Sequence, residues 1–121
     1  MPSKNQKQII APDKLMLYDK LISANAAIER KGVTLPYTSV NGNMFTFLSG
    51  EGELSIRLPA KERDEFIKKF NTRLSVQHGV IMKEYVVVPE SLFKKISELK
   101  TYVDISFKYA LTLKPKVSKK E

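Results

Sequence analysis

Asn41-Gly42 stands between two runs that alternate apolar and polar residues, 34–40 and 43–48. Few dipeptides constrain a chain this strongly. A two-residue hairpin loop of type I′ needs positive φ at both positions, which asparagine and glycine tolerate best. With that loop, Val40 is expected opposite Asn43 and Thr38 opposite Phe45, so that Val40, Phe45 and Phe47 share one sheet face. Ser49-Gly50-Glu51-Gly52 reads as a second turn, after which Leu54, Ile56 and Leu58 alternate with Ser55 and Arg57. Three strands joined by tight turns make a meander. Pro36 points to an edge position for the first, or to a strand that starts after it, because proline cannot donate to a ladder.

Helical periodicity flanks this β segment. In residues 12–31, Leu17, Leu21, Ala24 and Ile28 recur at helical spacing, widened by Tyr18 and Ile22. Pro12 and Asp13 suit a first turn, and Gly32 offers a left-handed cap. Pro59-Ala60 opens a second helix, 60–70, with Phe66, Ile67 and Phe70 as its apolar side and Asn71-Thr72 as its end. Residues 73–77 and 80–88 then read as two strands about His78-Gly79; a two-residue loop there sets Arg73 opposite Glu84. From 90 to 113 the pattern is helical again, with Leu92, Ile96, Leu99, Val103, Ser106 and Ala110 on one face. The polar stretch 97–101 predicts a break or kink. The order α-βββ-α-ββ-α(α) is not the alternation of a parallel sheet. It predicts an α+β fold, with a five-stranded antiparallel sheet (a three-strand meander plus a two-strand unit) packed with helices.

The chain carries 21 Lys and Arg against 13 Asp and Glu, a formal charge of +8. By position, residues 1–10 hold +2, residues 114–121 hold +3, and residues 11–113 hold the remaining +3. The two ends lack hydrophobic periodicity and read as disordered basic tails around a single domain, 11–113, expected to fold as stably alone as in the full chain. The ends could contact phosphate through Lys114, Lys116, Lys119 and Lys120, without sequence preference. No apolar run is long enough to span a bilayer, and the opening residues do not form a signal peptide's apolar core. With no cysteine, disulfide, thiolate-metal and cysteine-nucleophile chemistry are excluded, and a cytoplasmic location is expected.

Three segments in this order, Asn41-Gly42-Asn43-Met44-Phe45, Glu53-Leu54-Ser55-Ile56-Arg57-Leu58 and Met82-Lys83-Glu84-Tyr85-Val86-Val87-Val88-Pro89, precede a final helix ending Tyr109-Ala110-Leu111-Thr112-Leu113-Lys114-Pro115. Over about residues 15–115 this pattern resembles the N-terminal domain of the TfoX (Sxy) competence-regulator family. Where family members carry a Lys-x-Met-Phe-Gly-like stretch, this sequence has Lys31-Gly32-Val33-Thr34-Leu35-Pro36-Tyr37. The resemblance implies a bacterial, cytoplasmic regulatory protein with a secretion-chaperone-like arrangement of helices on an antiparallel sheet, and no catalysis. The full-length regulators have a second, helical domain, and the sequence in hand spans the first.

Local chemistry points the same way. His78 is the sole histidine, beside Gly79 in a turn, so one chain offers no His pair or triad. The acids Glu51, Glu53, Glu62, Asp64 and Glu65 are interleaved with bases and read as solvated charge rather than a paired acid and base. Gly50-x-Gly52 is no phosphate loop. Arg57, Lys83 and Tyr85 are the candidate interaction surface, on outward strand positions. No catalytic, cofactor or metal residue is assigned. The expectation is a non-enzymatic module that binds a partner protein, as a monomer or homodimer, with no membrane association. The alternative is a nucleic-acid-associated accessory factor in transcription or DNA-uptake regulation that draws affinity from its basic tails.

Overall fold

A computed structural model describes residues 10–32 and 35–115. The elements run α1 (Pro12–Ser23), β1 (Tyr37–Val40), β2 (Asn43–Leu48), β3 (Leu54–Arg57), α2 (Ala60–Phe70), β4 (Leu74–Gln77), β5 (Val80–Val87), α3 (Glu90–Phe93) and α4 (Ile96–Thr112). The five strands form one antiparallel sheet in the order β1-β2-β3-β5-β4. The meander, the helix between the two strand units and the α+β class are as the sequence predicts.

Both hairpin turns are built by the expected backbone chemistry. Asn41 and Gly42 have φ of 53° and 78°, and His78 and Gly79 have 53° and 77°. These are the left-handed pairs that a two-residue hairpin loop demands. The second helix matches its sequence reading at both ends, because Pro59 precedes it in extended conformation and Asn71 closes it at φ 52°.

Within the sheet, two irregularities correct the expected register. Thr38 pairs with Thr46 and Ser39 with Met44, so Phe45 is an extra residue, a β-bulge. Phe45 therefore turns away from Phe47. Its ring packs 5.6 Å from Phe107 of α4, whereas Phe47 packs 5.5 Å from Tyr85. Ser106 of α4 donates to the Phe45 carbonyl at 3.1 Å, which gives the bulged backbone a buried partner. The second shift lies between β4 and β5. Leu74 pairs with Val86 but Ser75 pairs with Met82, so 83–85 have no partner on β4. Arg73 accordingly does not face Glu84. Its guanidinium pairs instead with Glu53 at 2.9 Å.

Two helix boundaries also differ from expectation. The first helix ends at Ser23 rather than at residue 31. Beyond it, the Asn25 side chain accepts from the Ala27 amide at 2.9 Å and donates to Asp104 of α4 at 2.9 Å. A side chain that bonds its own backbone two residues on offers the chain an alternative to the helix. The last helical stretch breaks at Lys94–Lys95, earlier than the polar run 97–101.

The core lies between the sheet and the helices. Tyr18, Leu21, Phe45, Ile56, Phe66, Leu99 and Val103 are fully buried there. Ile10 joins this cluster at 5% exposure, so the folded unit starts before the boundary at residue 11 that charge alone suggests. At the other end, Asn43 donates to the Lys114 carbonyl at 3.1 Å, which ties the chain's exit to the first hairpin. Residues 1–9 and 116–121, which hold most of the two basic segments, lie outside the described residues. No helix among the described residues is long and apolar enough to cross a membrane.

Candidate interaction groove

A groove of about 670 Å³ runs along the sheet face away from the helices, lined by strand and turn residues alone. Tyr37, Met44 and Phe47 come from the first hairpin, and Val76, Gln77 and Met82 from the last. The two hairpins sit at opposite ends of the sheet order, and each carries a register irregularity of the kind that bends and over-twists a strand. Among the described residues of the lining, Glu51 is the only charged one, and none is Lys or Arg. Met44 and Met82 are flexible and polarizable, suited to fitting apolar side chains of varied shape.

Beneath the groove the strands are tied by short polar side chains. Ser55 donates to Ser75 at 3.0 Å, both fully buried, and Gln77 donates to Ser75 at 3.2 Å. On the helix side, Tyr18 shares a 2.7 Å hydrogen bond with Thr46, which shares another of 2.7 Å with Thr38. Burial pushes the Tyr18 phenol up to about 12, against the hydrogen bond from Thr46 and the charge of Arg30 that favour its ionised form.

Arg57 and Tyr85 do meet, as register partners on β3 and β5. They are engaged inward rather than offered to a ligand. The Arg57 guanidinium donates to Glu84 at 2.7 Å and to the Met44 carbonyl at 3.3 Å, and lies 5.6 Å from the Tyr85 ring. The Tyr85 hydroxyl donates to the same carbonyl at 2.7 Å, and Tyr109 of α4 donates to Glu84 at 3.1 Å. Burial pushes the Glu84 carboxyl up, but the Arg57 guanidinium and the Tyr109 hydroxyl outweigh it and hold the carboxyl below its ordinary value. Burial raises the Tyr85 and Tyr109 phenols, and for Tyr109 the bond to Glu84 adds to the rise. Lys83 is exposed, and its carbonyl accepts from Arg63 of α2 at 3.0 Å. Arg57, Glu84, Tyr85 and Tyr109 thus brace the strands behind the first bulge.

His78 is exposed in its turn and reaches the rim of the groove. Among the described residues, no three His, Asp or Glu side chains gather where a metal ion could be held. Of the lysines read as phosphate-contacting, Lys114 is exposed, while Lys116, Lys119 and Lys120 lie outside the described residues. The groove itself escaped sequence reading because its two walls come from hairpins far apart in the chain, and their meeting depends on the tertiary arrangement of the sheet.

Comparison of the chain with protein-family models, with curated proteins and with solved structures finds no match.

Proposed function

We propose that this chain is a non-enzymatic interaction module of the TfoX N-terminal-domain type, and that it binds a partner protein in the groove on the open face of its sheet. The carrying observation is the groove's lining: apolar and methionine-bearing, with a single carboxylate and no cation among the described residues. A segment of another protein can bury apolar side chains there, at roughly 25 cal/mol per Å² removed from water. A nucleic acid would find no Lys or Arg among the described residues of the lining to neutralise phosphate, and phosphate contacts supply most of non-specific affinity. In this reading the sheet face is a docking surface, and the net charge of the chain does not describe it.

The discriminating test is a titration of the full chain with labelled duplex DNA over a range of salt, repeated with Met82→Glu. Binding that is absent, or that falls steeply with salt and is unchanged by the substitution, agrees with the proposal. Salt-resistant DNA binding that the substitution abolishes contradicts it and favours the nucleic-acid reading.

A further inference from the structure

The two edges of the sheet are finished differently. At β1, Lys31 straps the outer side: its amide donates to the Tyr37 carbonyl at 2.8 Å and its carbonyl accepts from the Tyr37 amide at 3.0 Å. Pro36 precedes that strand directly. β4 ends the sheet on the other side, and no segment among the described residues pairs with its outer edge. Its four residues, Leu74–Gln77, include neither lysine nor proline, the usual guards of a free edge. Gln77 and Val80 flank a two-residue turn and so exchange the close pair of hydrogen bonds; Val76, one step on and opposite Ile81, therefore turns its own amide and carbonyl outward. Beyond the register shift, the Arg73 carbonyl accepts from the Val87 amide of β5 at 2.9 Å, so Leu74, the next residue, also faces out, where its carbonyl receives a 3.3 Å bond from the neighbouring Arg73 guanidinium.

The side chains around this edge are unusually apolar for a surface. Val76 is 47% exposed, Val80 64% and Ile81 57%, half of the large hydrophobic residues that the described surface exposes. From residue 74 to 82 there is no Asp, Glu, Lys or Arg. Arg73, just before it, is already paired with Glu53.

From this edge we infer that two copies of the chain associate through β4, side by side and antiparallel, about a two-fold axis at Ser75. Leu74 of each copy then lies opposite Val76 of the other, and their outward amides and carbonyls exchange hydrogen bonds. The two five-stranded sheets become one, and the exposed Val76 and Ile81 side chains of both copies pack together across the join. Charge selects the occupant. A chain of formal charge +8 repels its own copy wherever its bases are displayed, and an uncharged edge is where that repulsion is least. An acidic partner, which the same charge would attract, finds no base on this edge to pair with. An antiparallel edge is also its own complement, as a two-fold interface requires. The edge shares Val76 with the groove lining, but the inference rests on the outward backbone of β4, and its readouts, mass and amide protection, do not depend on what the groove binds.

Sedimentation equilibrium of the full chain tests it, beside Val76→Lys, which places a charge on an exposed site and leaves the core untouched. The wild type is expected at twice 13.8 kDa with rising concentration, and the variant at 13.8 kDa with an unchanged circular dichroism spectrum and melting temperature. Amide hydrogen exchange of the wild type supplies a readout that needs no variant. The Val76 amide, unpaired in one copy, should gain protection as concentration rises. A wild type that stays at 13.8 kDa overturns the inference, and so does a dimer whose Val76 amide exchanges without protection or that survives Val76→Lys unchanged.

Discussion

Arg57 and Glu84, on the adjacent strands β3 and β5, form a 2.7 Å ion pair that also reaches the Met44 carbonyl and the Tyr109 hydroxyl. The pair links the first hairpin, the centre of the sheet and α4. Removing the guanidinium leaves a half-buried carboxylate and a backbone carbonyl short of a donor. Arg57→Met should therefore destabilise the fold by roughly 1–2 kcal/mol, the lower part of the range for charged hydrogen bonds because Glu84 keeps some solvent. Urea unfolding at neutral pH measures this, and a change within a few tenths would contradict the bracing role.

The same pair sets a pH dependence. Glu84 is held below its ordinary 4.5, so its contribution is present above that value and is lost as the pH falls through the lower folded value. Asp104 behaves alike: burial pushes its carboxyl up, and Lys100 and Asn25 more than offset that. Acidification from pH 6 to pH 3 (about the span in which such carboxylates protonate) should destabilise the wild type more than Glu84→Gln. Equal losses in the two proteins would remove Glu84 from the account.

At the alkaline end the Tyr18 phenol is raised furthest, beside the smaller rises of Tyr85 and Tyr109. Its folded value near 12 exceeds the ordinary 10.0, so its contribution is intact below 10 and is lost as the pH rises through 12. Tyr18→Phe is expected to cost roughly 0.5–1.5 kcal/mol at neutral pH, since Thr46 keeps its bond to Thr38. It should also flatten the alkaline loss of stability. Melting curves at neutral pH and above pH 10 check both, and an alkaline loss as steep in the variant as in the wild type would contradict the assignment.

Ile10 marks where the fold begins. It is buried in the core cluster although the stretch before it, 3–8, is polar. Ile10→Ala should cost about 2–4 kcal/mol, as expected for a buried isoleucine. A cost under about 0.5 kcal/mol, the usual range for surface positions, would place Ile10 with the basic segment instead.

Those outcomes bear on what a sequence can reveal. The turns at Asn41-Gly42 and His78-Gly79 and the helix Ala60–Phe70 were legible because their determinants are local: left-handed φ, a preceding proline and a closing asparagine. The bulge at Phe45 was not. It is decided by α4, whose Phe107 receives the ring and whose Ser106 takes the carbonyl, some 60 residues further on. The shift at 83–85 likewise answers to β3, where Arg57 faces Tyr85. The early end of α1 carried a readable signal in Asn25, a residue prone to bond its own backbone. Arg57 and Tyr85 were rightly placed on one face, yet alternation alone says nothing of whether such a face is free or already engaged.

The central claim is that the open face of the sheet is a protein-binding groove, and its most direct measurement compares two baits. Full-length protein and Met82→Glu, each verified as folded by its unfolding midpoint, are used to capture proteins from nuclease-treated extract of the source cells. The account predicts a partner that the wild type retains in high salt and that the variant loses. Capture of the same proteins by both baits, or capture by the wild type that high salt abolishes, would contradict it.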